Sequence, residues 1–224
     1  MKIAIILLSL CITVTSFAQE KRHEDVSLDA LLIETQFMSD DPNTMEMIWW
    51  IPFEFWVASN AQDPTTTQDD IDALRELMQG NELFAIVKGK IGYFGGITYT
   101  PLEKILEEWK VSLNGDDLSI SQPKDISPDL QNFLSMMSPM MTSMFGEMGK
   151  NVHFIFMSDD KNKSRFPIKG TSNDVIEFAL GAFKKTVQLP LDCLILEKKC
   201  PNDGALLSSK WTYCPFHGDT LVQQ

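Results

Sequence analysis

Histidine, cysteine and basic side chains are all scarce in this chain. Three histidines in 224 residues leave little material for a catalytic triad or a histidine-rich metal centre. Of four cysteines, Cys11 lies in the first eighteen residues, and the odd number that remains argues against a disulfide framework for the whole fold. Lys and Arg number 19 against 31 Asp and Glu, so the chain repels phosphate backbones and nucleic acid is excluded as a partner. Past the first residues no apolar run reaches the roughly 18 residues that a transmembrane helix needs. No HExxH, nucleophile elbow, P-loop or GxGxxG occurs; the glycines of IGYFGGITY sit in an extended run and open no helix.

The opening MKIAIILLSLCITVTSFAQE carries Lys2, an apolar stretch from Ile3 to Val14 and the small-x-small pattern Ser16-Phe17-Ala18. This predicts a secretory signal peptide over 1–18, cleaved after Ala18, and a soluble exported chain, periplasmic or extracellular. Leu10 stands before Cys11 where a lipoprotein signal has a small residue. Cleavage leaves 206 residues with 18 basic against 31 acidic side chains, a net charge of −13. That length suits one ordinary domain with a small appendage.

Residues 19–44 are polar and acidic, which predicts a mobile start and a short helix around Leu28, Leu31, Leu32 and Ile33. A main domain is expected over 45–195. Its first segment, MIWWIPFEFWVASNAQ, concentrates Trp49, Trp50, Phe53, Phe55 and Trp56. Pro52 suits a helix start, and the aromatics suit a core rather than a sugar-stacking platform. Thr67 is the expected cap of QDDIDALRELM, with Ile71, Leu74 and Leu77 on the buried face and Gly80 as the stop. Leu83–Val87 and Ile91–Tyr99 read as strands around a Lys-Gly-Lys turn, with Gly92, Gly95 and Gly96 as bulges or close contacts against the aromatic cluster. A second hairpin is expected from Trp109 to Ile120, turning at Asn114-Gly115.

Ser127-Pro128-Asp129 opens a methionine-rich helical segment, kinked or restarted at Pro139. Val152–Met157, Val175–Leu180 and Thr186–Leu191 complete the expected strands. Helices first and adjacent strands after predict an α+β fold: an antiparallel sheet, N-terminal helices and one inserted Met-rich helix.

The end of the chain, 196–224, writes one phrase twice. Cys200-Pro201-x-x-Gly204-x-x-Leu207 recurs fourteen residues on as Cys214-Pro215-x-x-Gly218-x-x-Leu221. Two such turns resemble the facing knuckles of a zinc ribbon. The resemblance implies zinc held by Cys200, Asp203, Cys214 and His217, with Asp203 and His217 where ribbons usually have cysteines. Two other readings stay open: a Cys200–Cys214 disulfide closing a loop of 15 residues and contributing about 3 kcal/mol, or a ribbon without metal.

Three further features could carry chemistry. Met136, Met140, Met144 and Met148 recur at helical spacing, with Met137 and Met141 beside them, as a Cu(I)-selecting stripe or a face for a partner protein or apolar ligand. Glu54, set among aromatics, is a candidate acid or base with a raised pKa. His153, in the strand VHFIF, is the one histidine outside the start and the terminal phrase.

Taken together, IPxEFW (Ile51–Trp56), GKIGxFGGxTY (Gly89–Tyr99) and CPxDG…CPxHG (Cys200–Gly218) resemble a family of exported bacterial proteins of unknown function, a likeness that brings no activity with it. The expectation is a non-enzymatic exported binding or scaffold protein whose C-terminus a structural metal stabilises. The alternative is an exported hydrolase using Glu54 or His153 in an aromatic-lined cleft, and a third is copper handling by the Met stripe.

Overall fold

The computed structural model describes residues 19–63, 65–122, 124, 126–159 and 163–223, so the expected leader and Cys11 lie outside the described residues. The strands in chain order are β1 (Gln36–Met38), β2 (Thr44–Ile51), β3 (Glu82–Ile91), β4 (Ile97–Tyr99), β5 (Trp109–Leu113) and β6 (Asp116–Asp117). They continue with β7 (Ser119–Ile120), β8 (His153–Ser158), β9 (Val175–Leu180), β10 (Phe183–Gln188), β11 (Lys198–Lys199) and β12 (Leu206–Leu207). The helices are α1 (Leu28–Thr35), α2 (Phe53–Ala61), α3 (Gln68–Met78), α4 (Leu102–Glu108), α5 (Pro128–Phe145) and α6 (Glu147–Lys150).

A six-stranded sheet runs β1-β2-β3-β8-β7, with β4 also on β3; a four-stranded sheet runs β10-β9-β5-β6; β11 and β12 form a separate ribbon. Every pairing between these strands is antiparallel, giving the expected α+β class. Strand alternation sorts the side chains of the larger sheet. Ile48, Trp50, Phe84, Ile86, Ile155 and Met157 face the smaller sheet, meeting Trp109, Val111, Phe178 and Leu180. Their neighbours Trp49, Ile51, Leu83, Ala85 and Phe156 face the helical layer, meeting Val57, Ile71, Leu130, Met137 and Met141. A sheet buried on both faces needs apolar residues at consecutive positions, which is why MIWWI and LFAIV show no alternation.

The aromatic segment is core, as expected. Trp49 meets Phe55, Phe55 meets Trp56 and Trp56 meets Phe133 in edge contacts with ring centroids 5.2–5.5 Å apart. Thr67 caps α3 in a full capping box with Asp70. Asn114 and Gly115 both adopt positive φ and turn β5 into β6.

Four expectations need correction. Lys88-Gly89-Lys90 is strand, not turn: β3 continues to Ile91 because Glu46, Met45 and Thr44 of β2 pair with it there. The turn falls at Gly92–Gly96, where Gly92 N–H donates to the Gly96 carbonyl at 2.7 Å. Its glycines do not pack on the aromatic cluster. A Cβ at Gly95 or Gly96 would meet nothing within 4 Å, and Tyr93 and Phe94 stand 97% exposed. The methionine helix does not restart at Pro139; α5 runs through it and ends at Gly146, which separates Met148 from the rest. Finally, the start is tied down: Leu196 N–H donates to the Gln19 carbonyl and Lys21 N–H to the Leu194 carbonyl, each at 2.8 Å.

Candidate functional site

The repeated terminal phrase folds as two matched turns. Gly204 N–H donates to the Cys200 carbonyl at 2.9 Å, and Gly218 N–H to the Cys214 carbonyl at 2.8 Å. Cys200 N–H returns to the Ala205 carbonyl at 2.9 Å, and Cys214 N–H to the Asp219 carbonyl at 2.8 Å. Gly204 and Gly218 have φ of +76° and +75°, values that a side chain strongly disfavours. Both cysteines are buried and pack with Leu221, Leu207 and Ala205 in a cluster separate from the main core.

These turns bring Cys200, Cys214 and His217 together, with one ligand atom from each within 4.8 Å of the others. His217 Nδ1 lies 3.4 Å from Cys200 Sγ and 3.5 Å from Cys214 Sγ. Metal–sulfur and metal–nitrogen bonds of zinc length make a tetrahedral edge of about 3.5 Å, so the group is able to hold a metal ion. Asp203 is outside this set: its Oδ1 accepts from Ala205 N–H at 3.0 Å within its own turn, and its Oδ2 stands 3.9 Å from His217 Nδ1. Cys193, Cys200 and Cys214 are all free thiols, so the disulfide reading is corrected.

The electrostatics of the turns are unequal. Burial pushes both terminal thiols up, and Cys200 stays raised. At Cys214 the backbone N–H groups of Phe216 and His217, with the contacts to Cys200 and His217, outweigh burial and leave the thiol lowered. The imidazole beside it is raised, chiefly by its contact with Cys214. Of the two sulfurs, that of Cys214 is therefore the more readily ionised.

Glu54 projects from the first turn of α2 toward the loop after β8. Its Oε1 accepts from Gly170 N–H at 2.9 Å, whereas its Oε2 is buried with no hydrogen-bond partner. Burial raises its pKa, against smaller lowering contributions from its own and the Gly170 backbone N–H and from Arg75 and Lys169. The carboxyl lines a cleft of about 260 Å³ together with Phe53, Val57, Arg75, Lys169 and the start of the chain at Glu20 and Lys21. Glu20 in the same cleft is lowered, first by hydrogen bonds from Lys169 and Thr171.

His153 is not among the residues that line this cleft. It is half-buried at the start of β8, its pKa lowered by burial despite a hydrogen bond with the backbone of Thr100. The two candidate acid–base residues are therefore not brought together. The Met stripe divides: Met137 and Met141 are buried in the helical layer, Met136 is 70% exposed, and the side chains of Met140 and Met144 lie outside the described ones.

One carboxyl went unnoticed in the sequence. Glu82, at the head of β3, is buried, its Oε1 accepting from Trp50 Nε1 and its Oε2 from Ile168 N–H, each at 2.6 Å. Burial pushes it from the ordinary 4.5 up to about 8, with the Glu54 charge adding to the rise. An acidic residue opening the apolar run LFAIV was the available signal. Arg75 and Lys169 carried none, since surface basic residues are common on helices and loops. No protein family, no curated protein and no solved structure matches the chain.

Proposed function

We propose that the C-terminal turns bind zinc as a structural ion through Cys200, Cys214 and His217, and that the chain is an exported binding protein. The carrying observation is the pair of sulfur-to-imidazole distances, 3.4 and 3.5 Å, which match the edges of a zinc tetrahedron. The buried thiols packed on Leu207 and Leu221 support a folding role. Asp203, whose Oδ2 stands 3.9 Å from His217 Nδ1, would be the nearest carboxylate to supply a fourth ligand. The cleft at Glu54 supports binding over a purely scaffolding role.

Elemental analysis of protein purified without chelator tests the zinc. About one zinc per chain is expected, lost in Cys214→Ser and retained with weaker affinity in Asp203→Ala. Protein refolded in zinc that keeps none, with Cys200 and Cys214 still reactive as thiols, would overturn the site.

A second reading, hydrolysis at Glu54, draws on one observation. Two carboxyls in one cleft are pushed apart in pKa, Glu54 up and Glu20 down, as acid and base are in carboxylate-dependent hydrolases. Release of nitrophenol from aryl glycosides, lost in Glu54→Gln, is its expected signature. Release that the variant leaves unchanged would remove it.

A further inference from the structure

Tyr93 and Phe94 are the most exposed large apolar side chains among the described residues. They crown the turn between β3 and β4, where their rings meet edge to face with centroids 5.2 Å apart. Apolar residues scattered singly over a surface need no explanation, but a paired set held clear of the molecule does. The hairpin sets that position. β3 and β4 pair as far as Ile91 and Ile97, whereas β2 begins only at Thr44, opposite Lys90, so the tip projects past its neighbour. Gly95 N–H donates to the Gly92 carbonyl at 2.8 Å, and with the Gly92 to Gly96 bond this closes the loop on itself.

The same stretch is without charge. From Ile91 to Leu102 there is no Asp, Glu, Lys or Arg, in a chain where 22% of residues are charged. Between Gly92 and Gly96 the Tyr93 hydroxyl is the one polar side-chain group. Lys90 at the base is exposed, and among the described residues no carboxylate is ion-paired with it. The loop that carries the exposed Asp40 and Asp41 reaches the same base, where the Asn43 carbonyl accepts from Ile91 N–H at 2.9 Å.

We propose that this tip docks the protein on a phospholipid bilayer, with Tyr93 and Phe94 entering the headgroup region and the rest of the domain outside. A protein partner would surround such an anchor with a polar rim, and the tip has no polar side chains to meet one. A bilayer asks for no rim: it takes apolar rings and leaves the tyrosine hydroxyl among the headgroups. Insertion is shallow. The N–H groups of Tyr93 and Phe94 donate to no group among the described residues, so they need water or headgroup oxygens, which the hydrocarbon interior lacks. Lys90 then lies level with the lipid phosphates. Acidic residues outnumber basic ones by 31 to 19, which repels an anionic surface, so the occupant is a zwitterionic one. Neither the zinc nor the Glu54 cleft takes part in this docking.

The test is cosedimentation of the full mature chain with phosphatidylcholine vesicles. The parent is expected to sediment with the lipid. Tyr93→Ser combined with Phe94→Ser should partition at least tenfold less, while circular dichroism and melting temperature stay as in the parent, because both rings lie outside the core. Phe94→Trp should keep the binding and add an emission that lipids brominated near the headgroup quench more than lipids brominated at the chain ends. A parent that stays in the supernatant, or a double variant that sediments as the parent does, would overturn the docking. Binding that appears only with added phosphatidylglycerol would overturn it as well, since lysines elsewhere would then be holding the lipid.

Discussion

Glu82 shows what one misplaced-looking residue does to a core. Two N–H donors hold its carboxyl, yet desolvation still lifts its pKa to about 8. Between the ordinary 4.5 and that value the folded chain keeps a proton that the unfolded chain has released. Stability from this group is therefore complete below about pH 4.5 and is lost as pH rises through about 8. Glu54, also raised by burial, acts with the same sign. The window amounts to a few kcal/mol, so the melting temperature should fall on the order of 10 °C between pH 5.5 and 8.5. Glu82→Gln cannot ionise and should show a shallower slope, read by thermal melts across that range. A wild-type midpoint that climbs with pH, relative to the variant, would contradict the assignment.

At the scale of elements, local chemistry was legible where it acts alone. Thr67 announces α3 because its hydroxyl accepts from Asp70 N–H at 3.3 Å while Asp70 Oδ2 accepts from Thr67 N–H at 2.9 Å. Thr67→Ala should cost about 1 kcal/mol in urea unfolding, with the m-value unchanged. A loss below a few tenths would mean that the cap adds nothing to the folded chain. Asn114-Gly115 was readable for the same reason, since its positive φ values are a property of two residues. The Lys-Gly-Lys turn was misread because its strand is extended by a distant partner: Lys88 pairs with Glu46, and its ammonium lies 3.3 Å from that carboxylate. Gly89 has a non-local cause too, a Cβ there coming within 2.9 Å of Ile97 Cγ2. The two sheets could not be separated in the sequence, because β7 leaves the hairpin of β5 and β6 to pair with β8.

For the whole molecule, the metal-capable turns stand apart from the main core. Cys200, Cys214 and Leu221 form their own cluster, and β11 pairs with β12 alone among the strands. If zinc is bound there, a chelator should expose residues 196–224 to protease while the two sheets keep their circular dichroism; simultaneous loss of both signals would show that the ribbon and the domain fold as one. Three of the four residues expected as ligands lie together, and their convergence was legible because a repeated phrase fixes its own geometry. The Glu54 cleft was not, since its walls come from residues 20–21, 53–57, 75 and 169–194.

That dispersion has a consequence in time. The chain is synthesised from its first residue, yet Lys21 meets Glu197 across a separation of 176 residues, and Glu20 meets Lys169 across 149. Contacts so distant are the slowest to close. The wall of the cleft that is made first must wait for nearly the last segment to emerge, so an interrupted chain lacks the cleft however well its earlier strands have paired.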